Sequence, residues 1–100
     1  MFVRVLGRID KNTSIILRTK IEEIKEEFKN IVINLDDVTN IDIKGINTLY
    51  YIYELANKMD NKILLCLNDG RVKHILSKYR IFNYIHRIDN ELNAFDIIMV

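Results

Sequence analysis

The chain has no proline, three glycines and one cysteine among its 100 residues. Disordered linkers and turn-dense β folds draw on more proline and glycine than this, so the shortage favours helices and strands joined by short polar loops. Three isolated glycines also exclude a Gly-rich phosphate loop, which needs several for its tight turns and close backbone approach. The lone thiol, Cys66, excludes an intramolecular disulfide and any metal site built on several thiolates, and it suits a reducing cytoplasm. No run of about 18 uncharged apolar residues occurs, so no membrane span is expected. The apolar start, Phe2 to Leu6, is cut by Arg4 and is too short for a secretory signal. Excess charge of one sign is missing too, because 15 Lys and Arg face 14 Asp and Glu. A nucleic-acid binder shows a clustered basic excess, so no nucleic-acid partner is expected. No segment is a charge block either: residues 1–29 carry seven basic and five acidic groups, 30–70 three and six, and 71–100 five and three.

What is present is a core. With 49% hydrophobic and 29% charged residues, the 11.9 kDa chain reads as a single domain over 1–100. Its expected radius of gyration is about 13 Å. Phe2 to Leu6 reads as a strand ending at Gly7. After Gly7-Arg8-Ile9-Asp10, Asn12 or Thr13 is a suitable N-cap for a helix in which Leu17, Ile21, Ile24 and Phe28 share one face. Glu22, Glu23, Lys25, Glu26, Glu27 and Lys29 form its solvated side. Ile31 to Leu35 is a β-branched run with little alternation, as expected of a parallel strand covered on both faces. Asp36 to Lys44 then reads as a polar loop with Ile41 embedded. Gly45 opens a second helix with Ile46, Leu49, Tyr50, Tyr53 and Ala56 in one stripe. Lys62 to Leu67 is a third buried strand, and Asn68-Asp69-Gly70 a turn. Val72, Ile75, Leu76 and Tyr79 mark a short helix, Ile85 to Ile88 an edge strand, and Leu92, Phe95 and Ile98 or Met99 a last helix. Alternation of this kind predicts an α/β fold with a mixed or mostly parallel sheet. Sites in such sheets lie at the carboxyl ends of strands, which here are Gly7 to Asp10 and Asp36 to Gly45.

Few residues carry recognisable catalytic chemistry. His74 and His86 fall on different elements without a Cys or Glu at ligand spacing, so a solvated helix residue and a partly exposed strand residue are expected. Cys66, inside an apolar strand, reads as an inert small hydrophobe. Tyr50 and Tyr53 fall on the core stripe, whereas Tyr51 falls off it and is a candidate partner-facing aromatic. Asp10, Asp36, Asp37 and Asp42 gather at strand ends, where carboxylates hold Mg²⁺ in some proteins and simply cap turns in others.

The stretch from Ile31 to Leu49, with Asn34-Leu35-Asp36, Val38-Thr39-Asn40-Ile41 and Asp42-Ile43-Lys44-Gly45, resembles the central signature of the STAS domain family, the anti-sigma factor antagonists. Gly7-Arg8-Ile9-Asp10 with Thr13 is similar to that family's Gly-x-Leu-Asp segment and helix cap, and Lys62 to Asn68 and Val72 to Phe82 are similar to its later elements. The resemblance implies a STAS-type sandwich, a four- to five-stranded sheet with about four helices, working as a bacterial regulatory module in signal transduction and transcription rather than as an enzyme. It implies no cofactor and no metal. The implied partner is an anti-sigma factor of the serine-kinase type, or a related regulatory protein, whose sequestration frees a sigma factor. The implied partner-binding residues are Asp10, Asn12, Thr13, Asp42, Ile43, Lys44, Gly45, Asn47, Thr48 and Tyr51. In the family, the second serine of Asp-Ser-Ser-Gly is phosphorylated, and here Lys44 stands at that position and Ile43 at the other. Lysine forms no phosphate ester, so the switch would be missing. Lys44 is expected to swing toward Asp42 or Asp10, since a cation is disfavoured at a helix N-terminus. Thr39 and Thr48 are the nearest hydroxyls. A scaffold or lipid-transport accessory subunit and a small-molecule or nucleotide-binding domain are the alternative functions, and the oligomeric state is left open.

Overall fold

A computed structural model describes residues 2–26, 30–68 and 70–91. Its strands are β1 (Phe2–Arg4), β2 (Gly7–Ile9), β3 (Asn30–Asn34), β4 (Val38–Ile41), β5 (Lys62–Cys66) and β6 (His86–Ile88). Its helices are α1 (Lys11–Ile24), α2 (Ile43–Lys58) and α3 (Arg71–Lys78), followed by a 3-10 turn at Ile81–Asn83. Four strands make a parallel sheet in the order β1-β3-β5-β6, and β2 and β4 make a separate parallel pair. The expected α/β sandwich is therefore present, with its strands divided between two sheets. Phe28, Asp69 and the helix expected around Leu92, Phe95 and Ile98 lie outside the described residues.

The unbroken apolar runs explain the sheet. Ile31 and Ile33 of β3 join Ile63 and Leu65 of β5 in the main core, while Val32 points to the other face with Leu64, Cys66 and Ile88. Burial on both faces is what removes the alternation from these strands. The main core is closed by Leu17 and Ile21 of α1 and by Ile46, Leu49, Ile52 and Ala56 of α2. Tyr50 and Tyr53, expected on the core stripe, sit half-buried at its margin and meet Tyr84 edge-on, with ring centroids 5.6 and 5.9 Å apart. The Cα radius of gyration is 12.4 Å.

Two segments differ from expectation. Asp36 to Lys44 is not wholly a loop, because Val38–Ile41 is strand β4 with Val38 and Ile41 buried. Gly7–Ile9, expected as the exit of the first strand, is a strand of its own, parallel to β4. The first strand ends at Arg4. Val5 still donates from its N–H to the carbonyl of Asn34 at 3.1 Å, after which the chain turns at Gly7 (φ +77°) into the second pair. Such a φ is open to glycine at little cost and strained for other residues. A register irregularity between Gly7 and Arg8 accompanies that change of direction. Three-residue strands containing a glycine and a charged residue offer too little periodicity to be read from sequence alone.

Candidate functional site

The β2–β4 pair positions two helix starts. Ile9 lies opposite Ile41, and the Asp42 N–H donates to the Ile9 carbonyl at 3.2 Å. Each strand is followed at once by an extended aspartate and then a helix. Asp10 caps α1, its Oδ1 accepting from the N–H groups of Asn12 (3.0 Å) and Thr13 (3.1 Å) and from Thr13 Oγ1 (3.3 Å). Asp42 caps α2, its Oδ1 accepting from the Gly45 N–H at 3.0 Å. Asp10 thus takes the capping role expected of Asn12 or Thr13, because a carboxylate satisfies the orphan N–H groups of the first turn and meets the positive helix end. Hydrogen bonding from Thr13 and Asn12 holds the Asp10 carboxyl below the usual carboxylate range.

Gly45 explains how closely the two starts approach. A Cβ at this position would lie 2.6 Å from Ile41 Cγ1 and 2.8 Å from both Ile9 Cγ2 and the Ile9 carbonyl oxygen. Only a residue without a side chain lets α2 rest directly on the strand pair. Gly45, among the residues the resemblance implied for partner binding, is buried against Ile9 and Ile41. Thr48 is likewise 2% exposed, on the side of α2 that faces α1. Tyr51 is half-buried, with the Arg18 guanidinium 4.2 Å from its ring centroid, an attractive cation–π geometry. It is a bridge between α1 and α2 instead of a free aromatic.

The other implied site residues do lie at the surface. Asn12, Asp42, Ile43, Lys44 and Asn47 are exposed, and Thr13 is half-buried with its hydroxyl committed to Asp10. Ile43, at the start of α2, is an apolar side chain 49% exposed. Thr39 is an exposed residue of β4. Lys44 does not do what the sequence suggested: among the described residues it forms no ion pair with Asp42 or Asp10. It instead lines a groove between α1 and α2 together with Lys11 and Arg18. Asp10 and Asp42 already accept backbone N–H groups, which leaves the lysine free to turn aside.

The remaining candidates are accounted for locally. Asp36 Oδ1 accepts the Asn68 N–H at 3.0 Å, which ties the end of β3 to the end of β5. Among the described residues no three His, Cys, Asp or Glu side chains gather as a metal site. His74 and His86 are exposed on α3 and β6. Burial pushes the Cys66 thiol up from 9.0 to about 11, with Asp36, Glu91 and Asp89 adding to the shift and Arg4 opposing it, so the nucleophilic thiolate is scarce near neutrality.

The residues that sequence reasoning passed over lie on α1. Lys11, Ser14 and Arg18 face the groove, and their spacings of three and four are the signal that puts them on one helix face.

The STAS domain model matches residues 1–94. The chain belongs to the STAS domain family. Among solved structures, this STAS chain is similar to the Thermotoga maritima protein TM1081, at 14% identity and a TM-score of 0.89, with 99% of this chain and 88% of that one covered. It is also similar to the anti-sigma factor antagonist SpoIIAA in its unphosphorylated form, at 17% identity, a TM-score of 0.76, and coverage of 98% and 87%. The phosphorylated form of the Bacillus cell fate determinant SpoIIAA matches at 14% identity, a TM-score of 0.74, and coverage of 97% and 88%. At such identities the likeness is one of fold. No helix among the described residues is long and apolar enough to cross a membrane.

Proposed function

We propose that this STAS domain is a regulatory protein-binding module of the anti-sigma factor antagonist type, and that it binds a serine-kinase anti-sigma factor in the cytoplasm and so frees a sigma factor. Its docking surface is the joined start of α1 and α2. The observation that carries this reading is the pairing of β2 with β4, which sets two helix starts beside each other, with Asn12 exposed on one and Ile43, Lys44 and Asn47 exposed on the other. Ile43, 49% exposed among polar residues, supplies apolar area that a modest, transient interface removes from water. No catalytic step, cofactor or metal enters this role.

Lys44 stands where the family carries its phosphorylated serine, so this module binds without that switch. Thr48, 2% exposed, presents little surface to a kinase active site. The test uses the serine-kinase anti-sigma factors of the source organism, purified one at a time. Calorimetric titration should give saturable binding to at least one of them, weakened at least tenfold by Ile43→Glu. Intact mass after incubation with that kinase and ATP should stay unchanged. Absence of binding to all of them, or an added phosphate mass, would refute the reading. A nucleotide-binding role predicts instead a rise in melting temperature with nucleotide and Mg²⁺, since a ligand that binds the native state stabilises it.

A further inference from the structure

The groove between α1 and α2 encloses about 340 Å³. Its walls carry three cations, Lys11 and Arg18 from α1 and Lys44 from α2, and no acidic side chain lines it. Among the described residues Lys11 and Lys44 have no ion-pair partner, and the guanidinium of Arg18 lies over Tyr51. Glu22, one turn beyond Arg18, is turned to Lys25 instead, 2.9 Å from its Nζ. Asp10 and Asp42, next to Lys11 and two residues before Lys44, are held by the backbone N–H groups they cap.

A second, independent observation lies in the groove wall. Ser14, 5% exposed, lines the groove, and its Oγ has no hydrogen-bond partner. A buried hydroxyl without a partner is costly, and such groups are usually paired. Ser14 is thus a groove-lining residue whose hydroxyl has no acceptor within the fold.

We propose that this groove receives an acidic segment of a partner protein, with two or more carboxylates spread along it. The spacing of the cations favours this occupant over one small oxyanion. Lys11 and Arg18 are seven residues apart on one helix face, about 10.5 Å along its axis at 1.5 Å per residue, so two carboxylates spread along a segment meet both cations without either long side chain folding toward the other. Acidic residues two turns apart on a helix, or three apart on an extended strand at about 3.3 Å per residue, span the same distance. Lys44 meets the segment from the opposite wall, and Ser14 Oγ donates to one of its carboxylates. The inference rests on the antagonist reading for the partner's biological role, and it adds the chemistry that would select that partner.

The experiment uses the full chain, labelled with ¹⁵N, and three probes: a capped hexaglutamate peptide, a capped hexaglutamine peptide and inorganic phosphate. Hexaglutamate should bind saturably, shifting the amides of Lys11, Ser14, Arg18, Lys44 and Asn47, and should weaken severalfold between 50 and 300 mM salt by screening. The triple variant Lys11→Glu, Arg18→Glu, Lys44→Glu should bind it at least tenfold more weakly. Ser14→Ala, which keeps every charge, should weaken binding severalfold without lowering the melting temperature. The proposal fails if hexaglutamine binds equally, if phosphate shifts the same amides and displaces the peptide completely, or if Ser14→Ala binds as the parent chain does. An anti-sigma factor whose affinity falls with Ile43→Glu and is indifferent to the charge reversals would overturn the groove and leave the antagonist reading standing. Peptide binding without any anti-sigma factor binding would do the reverse.

Discussion

The tightest constraint at the scale of single residues is at Gly45. It occupies the third position of α2, where the Asp42 cap and the contact with Ile9 and Ile41 come together. Two of the three nearest atoms are branched side-chain carbons in the packed core, and the third is a carbonyl oxygen of β2 already used as an acceptor by Asp42. None is the far end of a flexible side chain, so a methyl group here forces the helix away from the strands. Gly45→Ala should lower stability by about 1–3 kcal/mol, the usual cost of overpacking a core, even though alanine is the better helix former. Urea denaturation monitored by circular dichroism measures it. A variant as stable as the parent would show that α2 shifts without cost. Lys44, one position earlier, is exposed, and its identity is open to whatever the partner demands.

At the scale of elements, β1 and β3 run side by side in the main sheet, and β2 and β4, which follow them directly, run side by side in the small one. The crossing from β1 to β2 depends on Gly7 at φ +77°, in the left-handed region, with open space around its α-carbon. Gly7→Ala should therefore cost about 1–2 kcal/mol from backbone conformation alone, with no steric clash. Gly7→Asn should recover part of that loss, because asparagine tolerates the left-handed region better. Thermal melts of the two variants decide it: equal melting temperatures would contradict a conformational origin. The same pair of short strands marks the limit of what the sequence makes legible. β3, β5, α1 and α2 announce themselves through runs of Ile and Leu or through spacings of three and four. Gly7-Arg8-Ile9 and Val38-Thr39-Asn40-Ile41 have no period of their own and become strands only by pairing with each other. Because β4 was invisible, the carboxylates around it read as a loose cluster, when Asp10 and Asp42 are two matched caps. The surroundings of Thr48 and Tyr51 are hard to read for a related reason: Ser14, across the groove from Thr48, and Arg18, over the Tyr51 ring, belong to the other helix.

For the molecule as a whole, the two faces of the main sheet are sealed differently. The face toward α1 and α2 holds most of the buried side chains, and the other holds Val32, Leu64, Cys66 and Ile88. Cys66 reports on that second layer. Its native thiol titrates at about 11 rather than 9.0, so the folded chain retains a proton that the unfolded chain gives up in the window between. The stabilisation is fully present below pH 9 and is lost as pH rises through 11. By linkage at about 1.4 kcal/mol per pH unit, stability should fall by roughly 2 to 3 kcal/mol across that range from this group. Cys66→Ala should flatten the alkaline limb of a stability profile measured by urea titration from pH 8 to 11. A limb unchanged by the substitution would assign the effect to other groups. Native thiol labelling at pH 8 should be slow, rising to a free-thiol rate in denaturant.

The partnership of β2 with β4 also sets a schedule for the nascent chain. Ile9 meets Ile41 across the whole of α1 and β3, so the first helix is capped early while the surface it shares with α2 waits for the later strand. Pairing over such sequence distances is slow compared with helix formation. A ribosome-bound chain that stops short of α2 has one wall of the groove and no base beneath the other. Both walls of the groove are therefore present only in a molecule that has placed β4 beside β2.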